Sequence, residues 1–155
     1  MRSVALRAGI ASGVAALALA VASGEAAAAP ACPTALSPAN EAALTAMINQ
    51  ARQAEGIARV KKDPVLRRAG RKKSISMARG GAFTHSSSGR LPWAEGRAAG
   101  QNIAMAPSAA DALQAMLNSP GHRQNLLSRA WRYTGVGAAA RCDGMVFFTI
   151  NLMAP

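Results

Sequence analysis

The sequence is sparing with the residues that carry most protein chemistry. Its 155 residues include two histidines, two cysteines, seven acids, and an aromatic set of three Phe, two Trp and one Tyr. Each shortage closes off a class. The glycines near positions 80 and 135 lack the spacing of a P-loop or dinucleotide fingerprint, and the lysine or acid that goes with it. The aromatics do not interleave with the basic residues, so no stacking platform for single strands is present and no specific nucleic acid is expected as a partner. Trp93 and Trp131 are expected to pack rather than to bind a ligand. No internal repeat or long linker divides the chain, and only one apolar run stands out, at the start.

That run has the order of a secretory leader. MRSVALR supplies two arginines, IASGVAALALAVAS is apolar, and GEAAAAPA is a small-residue tract. The run is short for a membrane span, which needs about 20 residues. We expect residues 1–28 to be a signal peptide cut after Ala28, since a cut after Ala29 would place Pro30 next to the scissile bond. The expected destination is the periplasm or the exterior. Residues 29–36 read as an extended segment, and residues 37–155 as one domain.

In an oxidising compartment, Cys32 and Cys142 read as a disulfide, and a single pair allows one connectivity. Without Arg2, Arg7 and Glu25 the net charge falls only from +11 to +10. Ten of the remaining basic residues fall between Arg52 and Arg79. Such a surface draws polyanions. For an exported protein these are an anionic wall polymer, a membrane surface or extracellular DNA.

Helix signals recur along the chain. Ser37-Pro38 opens a helix with an apolar stripe through Leu44, Met47, Ile48 and Ala51, closed by Gly56. Asp63-Pro64 opens a second. Its inward face is Leu66, Ala69, Gly70, Ser74 and Met77, and its outward face Arg67, Arg68, Arg71, Lys72 and Lys73. Gly80-Gly81 stops it, and a loop follows. The apolar segment Gln101 to Met105 is too short to classify by periodicity. A third helix starts near Ser108, with Asp111 in the capping-box position. Ser119-Pro120 repeats the opening signal and leads into a fourth helix carrying His122 and Arg123. Tyr133 to Ala140, Asp143-Gly144 and the run from Met145 to Leu152 read as a closing hairpin. Its last strand has apolar residues on both faces, which places it inside a sheet covered on both sides. Helices first and strands after point to a layered α+β sandwich.

Several fragments, in this order, carry a resemblance: EGIARVKKDPVL, GGAFTHSSSG, GQNIA, LNSPGHRQNLL, YTGVGAAA and MVFFTINL. The chain resembles the CAP superfamily of cysteine-rich secretory, antigen 5 and pathogenesis-related proteins, and looks most like its short bacterial members. The resemblance spans roughly residues 40 to 153. It implies a three-layer α-β-α sandwich with a central antiparallel sheet. It also implies a cavity with two histidines and one or two acids, which in some members binds a divalent cation such as zinc.

Carried over by motif, the histidines are His85 and His122. The acid of the family's Gly-Glu-Asn segment is Gln101 here. An amide is a poor zinc ligand and cannot take a proton. Glu95 is the nearest acid that could substitute. Two imidazoles alone are an incomplete zinc site, so the expectation is a polar cluster of His85, Gln101 and His122 whose donors and acceptors satisfy one another. Ser86, Ser87 and Ser88 adjoin His85, but adjacency in sequence does not build a Ser-His pair. Three readings follow: a binding module with a His-lined cleft for a small or lipid-like ligand, a metal-dependent hydrolase using the His pair, and a cationic binder of surface polyanions.

Overall fold

The computed structural model describes residues 32–86, 91–94 and 96–155. The expected leader, Ser87, Ser88 and Glu95 lie outside the described residues.

Proline and glycine set the helix limits as their chemistry dictates. Helix α1 runs Pro38–Ala54 and α2 runs Pro64–Ala78, each with proline in its first turn. The caps differ. Asp63 accepts from the backbone N–H groups of Val65 and Leu66, closing α2 with its side chain. Ser37 makes no such bond, and its hydroxyl accepts from Asn40 Nδ2 instead. Helix α3 (Ala109–Asn118) is capped by Ser108, which accepts from Asp111 N–H. Helix α4 (Pro120–Leu126) follows at once.

The expected extended segment before α1 contains a strand, β1 (Thr34–Leu36). Gln101 to Met105 lies in β3 (Ala99–Ala106), and the hairpin is β4 (Tyr133–Arg141) and β5 (Val146–Met153). The sheet order is β1-β4-β5-β3, all antiparallel. A two-residue strand, β2 (Lys61–Lys62), joins β4 in parallel, so the sheet is not wholly antiparallel. Every residue of β5 is buried, as an interior strand covered on both faces must be. The turn is longer than Asp143-Gly144 alone. Arg141 and Met145 pair across Cys142, Asp143 and Gly144, with Gly144 at φ 85°, a three-residue hairpin loop with glycine in the left-handed position.

The two faces of the sheet carry different layers. Leu44 and Ile48 of α1, Ala112 and Met116 of α3 and Leu126 of α4 meet Val136, Phe148, Ile150 and Leu152 on one face. Met77 and Ala78 of α2 meet Ile103, Ala139 and Phe147 on the other. Helix α2 lies so close to β4 that a Cβ at Gly137 would fall 2.1 Å from the backbone of Gly70. Small residues on both sides are the condition for that contact. These layers form the α-β-α sandwich.

Two arginines of the basic run are held by partners within the fold. Arg52 is fully buried. It donates from Nε to Ala58 O at 2.9 Å and from Nη1 to Leu126 O at 2.7 Å and Ser128 O at 3.0 Å. It thereby satisfies the carbonyl of the last α4 residue and those of the loops that follow α1 and α4. Burial, with a smaller push from Arg132, lowers its pKa. Arg71, expected to point outward, forms a two-pronged bond to the buried carboxylate of Glu41, Nε to Oε1 at 2.7 Å and Nη2 to Oε2 at 2.6 Å. That bond raises the Arg71 pKa.

Cys32 and Cys142 form the disulfide, with their Cα atoms 5.5 Å apart. It fastens the start of the described chain to the hairpin turn, beside the β1–β4 pairing of Thr34 with Arg141.

Candidate functional site: a histidine cleft at the edge of the sheet

Strand β3 is an edge strand, and the candidate site lies along that edge. Side chains alternate across a strand, so Gln101 and Asn102 serve opposite layers. His85 arrives from the loop after α2, and His122 from α4 in the other layer. The edge is where the two can meet. Their ring centroids are 6.4 Å apart with planes inclined at 37°. His85 is exposed and His122 half-buried.

On the α2 side, Gln101 holds the loop. Its Oε1 accepts from Ser86 N–H at 2.8 Å, and its Nε2 donates to Ser86 Oγ at 3.1 Å and Asn151 Oδ1 at 2.9 Å. Asn151 in turn donates to Leu66 O of α2. The amide therefore pins the residue next to His85, and both of its polar atoms are engaged. The expected cluster of His85, Gln101 and His122 bonded to one another takes a different form, because Gln101 bonds Ser86 and Asn151.

On the α4 side, the Ser119 side chain makes no capping bond to the helix backbone. Its hydroxyl lies 2.8 Å from His122 Nδ1 and holds the ring. Asn102, fully buried, donates to His122 O at 3.0 Å and accepts from Asn125 Nδ2 at 2.8 Å. Trp131 donates to Asn125 O at 2.7 Å, a packing and bracing role. Gly100 makes room for this, since a Cβ there would lie 2.4 Å from Asn125 Oδ1.

His85, Gln101, Asn102, Ser119, Gly121, His122 and Asn125 line a cavity of about 330 Å³. A second cavity of about 310 Å³ continues along β3, lined by Phe83, Ile103, Ala104, Met105, Ala115 and Met116, and sharing Ser119 and His122. Phe83 and Met105 are both 49% exposed. A cavity lined by polar residues and one lined mainly by apolar residues thus meet at Ser119 and His122.

No group of three or more His, Cys, Asp or Glu side chains suited to a metal occurs among the described residues. Among the described residues, His85 and His122 are the two ligands the cleft offers a divalent cation such as zinc, and a protein zinc site takes three or four. This pair of donors, taken from the described residues, does not fit that ion. Ser86 is committed to Gln101. Arg123 pairs with Glu55 on the surface, at 2.5 Å.

The sequence reading missed the inner ring of the site. Asn102 and Asn125 lie in the GQNIA and LNSPGHRQNLL fragments with no local signal of a role, and Ser119-Pro120 signals a helix start but not the bond to His122. Asn151 has one available signal, a polar side chain that with Thr149 interrupts an apolar strand.

The family model described as CAP, the cysteine-rich secretory protein family, matches residues 45–152. The chain belongs to that family. It is similar in structure to an outer surface protein of Borrelia burgdorferi, with 16% identity and a TM-score of 0.70 over 79% of this chain and 98% of that one. An extracellular protein of Bacillus anthracis that contains an SCP domain shares 26% identity, at a TM-score of 0.65 over 76% of this chain and 41% of that one. The chain thus spans about two-fifths of the length of the Bacillus protein. Venom allergen-like protein 4 of Schistosoma mansoni shares 11% identity, at a TM-score of 0.60 over 77% and 90% of the two chains. No curated protein matches the sequence.

Proposed function

We propose that this protein is an exported binding module, and that its cleft takes a small or lipid-like ligand. The polar head sits against His85 and His122, and the apolar part lies along Ile103, Met105 and Phe83. The observation that carries this reading is the pair of cavities, one polar and one apolar, joined at Ser119 and His122. Ligand pockets combine apolar walls with a few placed polar groups. Export is supported by the disulfide and by the extracellular relative from Bacillus anthracis. Titration with a fluorescent fatty acid tests the reading. Saturable binding, weakened by Met105→Asp and by His122→Ala, is expected. Absence of saturable binding, or binding indifferent to both changes, would overturn it.

The alternative as a metal-dependent hydrolase rests on the same histidines and needs a further ligand. Calorimetry with zinc on wild type, His85→Ala and His122→Ala separates the two readings. A wild-type heat that saturates at one equivalent and vanishes in both variants favours the hydrolase.

The reading as a cationic binder has its own observation. Arg67, Arg68 and Lys72 are exposed on α2, beside exposed Lys61 and Lys62 on β2. Arg71 is withdrawn from that set by Glu41, and Lys73 is half-buried, with a bond of 3.4 Å to Ala82 O. Affinity for an anionic wall polymer or an anionic membrane surface must fall steeply with salt.

A further inference from the structure

On the opposite side of the molecule from β3, the outer edge of β4 is covered in two pieces. Strand β1 pairs with its far end, from Ala139 to Arg141, and β2 with Tyr133 and Thr134. Backbone groups of alternate β4 residues point to this edge. Ala138 O accepts from Ser37 N–H, and Thr134 O accepts from Asp63 N–H, both at about 2.9 Å and 2.8 Å respectively. Val136 lies between them on the same edge, and no described strand stands opposite it. Its N–H and C=O therefore face the gap between β1 and β2. The Ala138 N–H, one step along, is met by a side chain, Glu41 Oε1 at 3.4 Å.

The gap is a cavity of about 270 Å³. Its lining includes Val136 of β4, Glu41 and Thr45 of α1, Lys62 of β2, and Arg67 and Arg71 of α2. The charges in it are unequally used. Glu41 is held by Arg71, and Asp63 caps α2 with bonds to Val65 and Leu66 N–H. Both carboxylates are thus engaged. Lys62 and Arg67 have no hydrogen-bond or ion-pair partner among the described residues, and both are exposed at the cavity.

We infer that this cavity is a second binding site, separate from the histidine cleft, for a free carboxylate one residue away from an amide. The complementarity is chemical. Val136 presents a backbone donor and acceptor on one edge, as a strand presents them to a neighbour. An extended terminal residue offers the matching pair, an amide N–H for Val136 C=O and a carboxylate oxygen for Val136 N–H. The charge of that carboxylate falls to Lys62 and Arg67, the two cations left without an acid. Charge-assisted bonds of this kind are the stronger ones. Strand β1 and β2 close the gap at both ends, so it admits about one residue and not a longer added strand. The same chemistry occurs at the C-terminus of a peptide and in a free N-acyl amino acid.

The test uses the disulfide-bonded chain and amide-resolved NMR. The probes are N-acetyl-alanine, its carboxamide, and a tri-alanine peptide with a free C-terminus. The site predicts saturable shifts at Val136 with N-acetyl-alanine and a loss of about tenfold or more on conversion to the carboxamide. A tri-alanine affinity above that of N-acetyl-alanine identifies a peptide end as the natural source, and the reverse identifies the free acyl amino acid. The Lys62→Gln, Arg67→Gln double variant changes only exposed side chains. It should keep its melting temperature and lose binding, whereas His122→Ala should bind as wild type does. Equal binding of the carboxamide, unchanged affinity in the double variant, or shifts confined to His85 and His122 would each overturn the assignment.

Discussion

Gln101 and Asn151 stand directly opposite each other on β3 and β5, and the amide of the first donates to Oδ1 of the second at 2.9 Å. A family acid at this position would have no proton to give. The other amide of the pair cannot simply turn round, because Asn151 Nδ2 is bonded to Leu66 O. Gln101 thus ties β3, β5, α2 and the His85 loop together. As an amide, Gln101 holds this frame with both of its polar atoms.

Gln101→Glu tests this. Restoring the acid should assist zinc binding if the cleft is a degraded metal site. The structure predicts a cost first. The ionised variant sets a carboxylate oxygen against Asn151 Oδ1, with a loss of about 1–3 kcal/mol expected in urea unfolding at pH 7. The deficit should narrow in acid, where a protonated Glu can donate again. A variant as stable as wild type at pH 7 would show that the amide proton is not needed.

The Glu41–Arg71 pair predicts an asymmetry. Glu41 is 6% exposed and Arg71 29%, counting side chains. Arg71→Met strands a buried carboxylate and should cost about 3 kcal/mol, near the lower end for broken buried pairs. Glu41→Gln leaves an arginine that can reach water, and keeps an oxygen for Ala138 N–H. Its cost should be smaller. Equal losses in paired denaturant titrations would count against the argument.

Arg52→Ala removes three bonds to buried carbonyls and leaves a cavity beneath α4. We expect a loss of about 3–5 kcal/mol by thermal or urea unfolding. A lysine cannot reach all three carbonyls, so Arg52→Lys should recover only part of it.

Replacing both cysteines by serine opens a loop with a sequence separation of 110 residues. The expected loss is about 4 kcal/mol in the chain-entropy view. Hydrogen exchange should rise first in β1, which the bridge fastens to the β4–β5 turn.

At that same turn, the bond from Arg141, then the N–H of Met145, pulls the Asp143 pKa below its ordinary value. The contribution of this group is present above the unfolded carboxylate pKa and fades as pH falls through the lowered folded one. An NMR titration should place Asp143 below the free carboxylate range, and Arg141→Gln should bring it back.

Local chemistry was readable from the chain. Ser37-Pro38, Asp63-Pro64 and Ser119-Pro120 mark helix starts because proline fixes φ and needs no N–H donor there. The hairpin followed from alternation around Asp143-Gly144, and the disulfide from having one pair to make. The family order of His85, Gln101 and His122 located the cleft. Much less readable were the partners of charged groups. Arg52 and Arg71 sit in a run that looks uniformly exposed, and one is buried while the other crosses the sheet edge to Glu41.

The sequence by itself determined the helix starts and the closing hairpin, which depend on neighbours within a turn or two, and the order of its motifs determined the family. Tertiary structure alone decided which polar groups are engaged. Gln101 meets Asn151 across a separation of 50 residues, and Arg52 meets Leu126 across 74. Such contacts exist only once the layers have packed, since a buried donor takes whatever acceptor the fold brings to it.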